Sequence, residues 1–387
     1  MTERLYYRDS HLVSFEAVVL GVTETKKGFE TVLDKTAFFP EGGGQPGDRG
    51  TVGDIAVLDT RERGGEVVHL CEKALPVGET VSCAIDWPLR FGRMQEHSGE
   101  HIVSGLAHQL WGCENVGFHM AETGDVTLDF DRELTGSELA ELERRANEKI
   151  WENLPIRAWI PPREELEAKS YRQKKPLEGD IRLVEIPGVD CCACCAPHVN
   201  QTGEIGLIRF MDSMRHRGGV RITMRAGRAA LDTVMSESAQ TASLSRLLSA
   251  PRSALTPALE RVQAEKAALE QEKAGIEREY TLLRASQGET LGGAVVFFEP
   301  KGLSAAAMRA LAEAGSKKAA LCAVYAGAKG EYRYVLASET VDLRTEVREM
   351  NSALSGRGGG AKNMVQGSLV SPREAIEEYW RRHGEER

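Results

Sequence analysis

MQEHSGEHIVSGLAHQLW, Met94 to Trp111, decides how the rest of the chain is read. Ile102, Val103, Leu106 and Leu110 recur at helical spacing with Ala107 between them, which predicts an amphipathic helix. Residues four apart on a helix stand one above the other on the same face. His97 and His101 therefore point two imidazoles at one place, where a single metal ion can take both. Well downstream lies CCACCAPH, Cys191 to His198, on a short loop after an expected strand. Cys194 and His198 are spaced to reach one ion. A thiolate with three imidazoles suits tetrahedral zinc, so one Zn2+ per chain is expected on His97, His101, Cys194 and His198. Cys191, Cys192 and Cys195 stand close by, and Cys192 or Cys195 could replace Cys194 as ligand. A cysteine-only iron–sulfur site does not match the common cluster spacings.

The 387 residues exceed one compact core, so two or three domains are expected from length. A net charge of -9 argues against a general nucleic-acid coat but leaves room for a local basic site. Eight cysteines, four of them between 191 and 195, do not form a secreted disulfide framework, and a reducing cytoplasm fits them better. The polar start MTERLYYRDS predicts no secretory leader. No stretch approaches the ~18–20 apolar residues of a membrane helix, so no membrane partner is expected.

Residues 1–90 read as short strands over 15–25, 29–39, 53–62, 66–71 and 80–86, which predicts a small β-barrel. Inside this stretch lies TAFFPEGGGQPGDRG, Thr36 to Gly50. Three consecutive glycines between prolines mean a sharp turn or a backbone that closely approaches a ligand. Residues 91–228 read as an α+β metal-binding domain. It holds the histidine helix, a hairpin through FHMAETGDVTLDF, a helix over 135–154 capped by Thr135 or Ser137, and strands over 181–186, 203–211 and 218–226. Residues 229–288 are helical and broken at Pro251. Val262, Leu269, Ile276 and Leu283 repeat every seven residues, as in a helical hairpin or a modest coiled coil. Residues 289–387 read as an α/β unit with buried strands over 294–299 and 319–326, and a more exposed one over 331–337. Helices are expected near 304–315, 341–354 and 372–383. SGRGGGAKNMVQGS, 355–368, reads as a second glycine-rich loop, without the spacing of a P-loop. Arg357 and Lys362 flank its glycines, and such a stretch lets backbone approach phosphate, which nominates Gly358, Gly359 and Lys362 for RNA contact.

GGGQPGDRG, MQEHSGEHI, the Cys194–His198 pair followed by VNQTGEIG, and the terminal NMVQGS together carry a resemblance. The chain resembles the freestanding alanyl-tRNA editing proteins, relatives of the editing domain of alanyl-tRNA synthetase. It is similar to their long form, which adds a C-terminal domain associated with DHH phosphoesterases. The resemblance covers nearly the whole chain. It implies that His97, His101, Cys194 and His198 hold zinc, and that Gln45 borders the aminoacyl end of the tRNA. It also implies that Thr36 contacts the hydroxyl of a serine. Between Cys194 and His198 the chain departs from the usual Gly-Gly-Thr and has Cys195, Ala196 and Pro197.

The implied activity is hydrolysis of the ester joining serine, and glycine as a further candidate, to the terminal adenosine of alanine tRNA. Size alone cannot exclude alanine, the smaller residue, from a pocket for serine. A site built to hydrogen-bond a hydroxyl rejects the analogue lacking it by about 10⁴–10⁵. Six arginines (209, 215, 217, 221, 225 and 228) against one acid, Asp212, mark a phosphate-binding stretch or a salt-bridged surface. Arg215, Arg217, Arg221 and Arg225 are the RNA-binding candidates. The heptad and the late helices also permit a homodimer. HSGEH fits the H-x-x-E-H pattern of a zinc protease with Glu100 as base, but the downstream carboxylate ligand of such enzymes is replaced here by Cys194 and His198. A zinc-stabilised RNA-binding module without catalysis is the third reading.

Overall fold

A computed structural model describes residues 2–173 and 179–385. The chain forms two compact units, Met1–Ala242 and Ser243–Arg387.

The first unit begins with six barrel strands: β1 (Ser14–Thr25), β2 (Gly28–Leu33), β3 (Gly50–Val52), β4 (Ile55–Arg63), β5 (Glu66–Cys71) and β6 (Thr80–Ile85). They close in the order β1-β2-β5-β4-β3-β6 around Val19, Leu33, Phe38, Val57 and Cys71. The strand expected over 29–39 ends at Leu33. Asp34 breaks it, its carboxylate accepting from the Val18 and Lys35 amides. Thr36 instead pairs in parallel with Arg4.

Helix α1 (Trp87–Trp111) follows at once. Asp86 caps it by accepting from the Leu89 amide, Pro88 sits in the first turn, and Gly112 ends it at φ 68°. Its middle, Arg90 and then Arg93 through Ala107, is buried on all sides. The helix packs on a four-stranded sheet of β7 (Asn115–Met120), β8 (Val126–Phe130), β12 (Ile208–His216) and β13 (Gly219–Ala226), ordered β12-β13-β8-β7. Ile102, Val103 and Leu106 join Leu128, Ile222 and Met224 of that sheet in one core, with Leu142, Ala146 and Ile150 of α2 (Gly136–Trp151). Each of these Val, Leu, Ile and Met side chains contributes about 1.5–3 kcal/mol on burial. Thr135 and Glu138 cap α2 reciprocally. A three-stranded sheet, β9 (Arg157–Trp159), β10 (Leu183–Ile186) and β11 (Asp190–Ala193), carries the cysteine run. Of the stretch expected as one strand over 203–211, Thr202–Ile205 is a 3-10 turn, and β12 starts only at Ile208.

Helix α3 (Gly227–Leu247) follows β13, and Pro251 separates it from α4 (Leu255–Arg284). Val262, Leu269, Ile276 and Leu283 are exposed along α4. The second unit is built on β14 (Glu289–Leu291), β15 (Ala294–Glu299), β16 (Leu321–Ala328), β17 (Glu331–Ala337), β18 (Gly356–Ala361) and β19 (Met364–Val370). Their order is β14-β15-β16-β17-β19-β18, with only the β15–β16 pair parallel. Helices α5 (Ala305–Ser316), α6 (Leu343–Ala353) and α7 (Arg373–Glu385) accompany this sheet. Two expectations change here. The strand over 331–337 is central, so Tyr334 to Ala337 are buried. The glycine-rich stretch is not a loop but edge strand β18. Gly358 and Gly367 both lie against the Tyr334 hydroxyl, leaving no room for a Cβ at either. Lys362 lies in the turn that joins β18 to β19.

Candidate metal centre

His97 and His101 project from the buried middle of α1, while Cys194 and His198 come from the loop after β11. One donor atom from each lies within 4.8 Å of all the others. Cys194 Sγ is 3.5 Å from His97 Nε2 and 3.4 Å from His198 Nε2. Bond lengths to zinc place tetrahedral neighbours about 3.4–3.6 Å apart, so these donors fit that ion. The other cysteines stand elsewhere. Cys192 groups with His101 and Asp190, and the Cys195 sulfur faces Gly42 and Gly43.

Each histidine is gripped at its second nitrogen. His97 Nδ1 meets Gln45 Oε1 at 2.9 Å, His101 Nδ1 meets Asp190 Oδ2 at 2.9 Å, and His198 Nδ1 meets Ser98 Oγ at 3.0 Å. Partners at Nδ1 orient each ring and leave Nε2 for the metal. Asp190 is itself held by Arg172, at 2.7 and 2.9 Å. Burial opposes a charge on Cys194, but His97, His198 and His101 hold its thiol well below the usual range. Burial lowers His198 to about 3, keeping it neutral. A thiolate and a neutral imidazole are the forms that bind metal. Burial also opposes charge on His101, yet Asp190 and Cys194 raise it to about 10.

Gly42 and Gln45 exchange backbone hydrogen bonds at 3.1 and 3.0 Å, forming a tight turn with Gly43 at φ 59° and Gly44 at φ 84°. A Cβ on Gly44 would lie 2.5 Å from Phe118 Cδ1. Phe118 in turn packs on His97, with ring centres 4.8 Å apart. The turn is fastened to α1. Arg90 pairs with Asp48, both almost fully buried, and Arg93 donates to the Gly47 carbonyl at 2.7 Å. A cavity of about 870 Å³ opens beside the donors, and Gly43, Gly44, His97, Glu100 and Cys194 line it. Glu100 accepts from Ser104 and Asn115, each at 2.7 Å.

Two family models match this chain. Residues 5–89 match tRNA synthetases class II (A), and residues 181–246 match the threonyl and alanyl tRNA synthetase second additional domain. The alanyl-tRNA editing protein Aarsd1 of Rattus norvegicus is 28% identical over 354 residues, covering 90% of this chain and 86% of that protein. The alanyl-tRNA editing protein AlaX-L of Pyrococcus horikoshii is 34% identical over 220 residues, covering 54% of each chain. This chain is thus similar to alanyl-tRNA editing proteins over most of its length. The alanine–tRNA ligase of Thermofilum pendens is 31% identical over 393 residues, 95% of this chain and 42% of the ligase. Among solved structures, the C-Ala domain of Aquifex aeolicus alanyl-tRNA synthetase matches with a TM-score of 0.20 at 18% identity, covering 24% of this chain and 97% of that domain.

Other residues singled out from the sequence are not among the metal donors. Thr36 is fully buried, its hydroxyl 2.8 Å from His69 Nε2. His69 Nδ1 donates to the Thr31 carbonyl at 3.1 Å, so its Nε2 accepts and Thr36 donates. The arginine-rich stretch is largely paired with acids: Arg209 with Glu143, Arg215 with Glu133, Arg221 with Asp129 and Arg225 with Asp125 from neighbouring segments, and Arg228 with Asp232 one turn on in α3. Arg215 nevertheless stays 86% exposed. Arg217 sits at the β12–β13 turn with φ 48°. Asp190, Ser98, Arg172 and Arg182 escaped the sequence reading. Ser98 alone carried a local signal, lying between the two helix histidines.

Proposed function

We propose that this protein hydrolyses the ester between serine and the terminal adenosine of alanine tRNA, sparing the alanyl ester. The observation that carries this reading is the His97–Gln45 hydrogen bond. It joins the GGGQ turn to the four-donor set at one cavity, in a chain similar to alanyl-tRNA editing proteins. His97, His101, Cys194 and His198 would hold zinc, which when bound supplies Lewis acidity for polarising a carbonyl. The Gly43 and Gly44 amides have no hydrogen-bond acceptor among the described residues and line the cavity, which suits them to a developing oxyanion. Gln45 Nε2 is buried without a partner, leaving a donor for the substrate beside the oxygen that holds His97. Thr36 would read the serine hydroxyl as an acceptor, because its own proton is committed to His69 and the Phe38 amide takes only one of its two lone pairs.

We further propose that residues 1–90, 91–228, 229–288 and 289–387 act as barrel, editing, spacer and tRNA-gripping segments, the last of the DHH-associated type. Gly358, Gly359 and Lys362 would meet the tRNA body, and Arg215 and Arg217 its acceptor end. Arg221 and Arg225 contribute less, being held by Asp129 and Asp125. Pairing of two copies through the exposed heptad of α4 is the competing role for the C-terminal half. Truncation after about residue 250 separates these roles, since loss of grip weakens tRNA binding whereas loss of assembly changes only sedimentation.

The closed set of four protein donors favours a second reading, a zinc-stabilised RNA-binding module without catalysis. Incubation with seryl-, glycyl- and alanyl-tRNA(Ala), beside a peptide panel, separates the readings. Release of serine with alanine retained supports editing. Binding without release supports the module, and peptide cleavage alone supports a protease.

A further inference from the structure

Arg182 stands immediately before β10, and its side chain lines the same cavity as the donor set. It is 8% exposed. Its Nη1 donates to the carbonyls of Cys194 and Ala196 at 3.0 and 2.9 Å, and its guanidinium carbon lies 5.2 Å from the centre of the Tyr7 ring. The position of this cation is thus set by the metal-ligand loop on one side and an aromatic face on the other.

No described acid meets its charge. Arg4, which lines the same cavity, pairs with Glu62 at 3.0 Å. Arg172, beneath the site, pairs with Asp190. Among the described residues Arg182 has no carboxylate partner. A guanidinium keeps its proton in a protein and presents five N–H donors in a planar fork. A buried cation with no carboxylate beside it is costly, and the Cys194 thiolate near it would be committed to the metal, so a fixed guanidinium facing the cavity is matched to an anion that arrives. Bidentate pairing with phosphate is the geometry that fork suits.

We propose that Arg182 binds the last phosphodiester of the tRNA, on the 5′ side of the terminal adenosine, and so anchors the nucleotide whose ester lies at the metal donors. The inference rests on the editing function proposed above. That substrate leaves one choice of anion. The ester is neutral and the amino group of the amino acid is cationic, so only the phosphates are negative. The last phosphate is one ribose away from the ester.

The test uses two small esters with the full-length, zinc-loaded protein. One is 3′-O-seryl-adenosine, which has no phosphate. The other is the seryl ester of the dinucleotide CpA, which has a single phosphodiester. The wild type is expected to favour the dinucleotide by about tenfold or more in kcat/KM, mainly through KM, as one charge-assisted contact allows. In Arg182→Gln that preference falls below about twofold, and Arg182→Lys keeps part of it. If the Gln variant loses zinc, the same ratio in the Lys variant decides. Retention of the wild-type ratio in both variants would mean that Arg182 only braces the loop and would overturn the proposal. So would a wild type that hydrolyses both esters equally well, which leaves the editing function intact. A wild type that hydrolyses neither ester nor intact seryl-tRNA(Ala) overturns the editing function along with the anchor.

Discussion

The Nδ1–H of His97 donates to Gln45 Oε1 at 2.9 Å, so the glycine turn and the histidine helix share one hydrogen bond. Both groups are buried. Partners of this kind typically contribute 10–100-fold to metal affinity. Gln45→Leu is expected to weaken zinc binding by about that factor in a chelator competition. Unchanged affinity would show that His97 needs no orienting partner.

Gly44 has left-handed backbone and a Phe118 carbon where its Cβ would stand. Gly64 has the same handedness, at φ 59°, with open space around it. Gly64→Ala therefore reports the backbone cost alone, about 1–2 kcal/mol. Gly44→Ala should cost more and should also displace Phe118 from His97, lowering both Tm and serine release. Equal Tm losses in the two variants would mean that the Phe118 contact does not constrain the turn.

Arg90 and Asp48 form a pair that is almost fully buried between α1 and the glycine turn. Removing one partner strands the other charge, at a cost of about 3–5 kcal/mol. Arg90→Met should lose about that much in urea unfolding, and adding Asp48→Leu should restore a part of it. A double variant no more stable than the single one would show that the charges are not coupled.

His69 is pushed down to about 4 by burial, against an ordinary value of 6.5. Between these values the unfolded chain binds a proton that the folded chain refuses, so stability rises with pH across the window. The contribution is fully present above pH 6.5 and is lost as pH falls toward 4, about 3 kcal/mol in all. Unfolding free energies of wild type and His69→Gln should therefore converge as the solution is acidified. A constant difference between them from pH 7 to about 4 would contradict the buried neutral imidazole.

Much of the donor set was legible because its spacing is local. His97 and His101 share a helix face, and Cys194 and His198 share one loop. The pairing of those donors with Gln45, Ser98 and Asp190 was not legible. Asp190 meets His101 across 89 residues of chain, and only the packing of β11 on α1 brings them together. The arginine stretch looked uncompensated because most of its acids lie on β8 and α2 or beside them, and Asp232 lies just beyond it on α3. The glycines at 358–360 read as a loop since they carry no side-chain pattern. The reason for them, the Tyr334 hydroxyl against that strand, comes from β17. The barrel strands were visible through their Val and Thr content, whereas the early end of β2 depends on Asp34 bonding back to β1.

The central claim is that the four donors and the glycine turn form a site that removes serine from alanine tRNA. The most direct test is the single-turnover rate of amino-acid release from seryl- and alanyl-tRNA(Ala), by wild type and by His101→Ala. Wild type should release serine at least about 100-fold faster than alanine, as a hydroxyl-reading site requires, and His101→Ala should lose nearly all serine release. Alanine released as fast as serine, or serine release undiminished in His101→Ala, would contradict it.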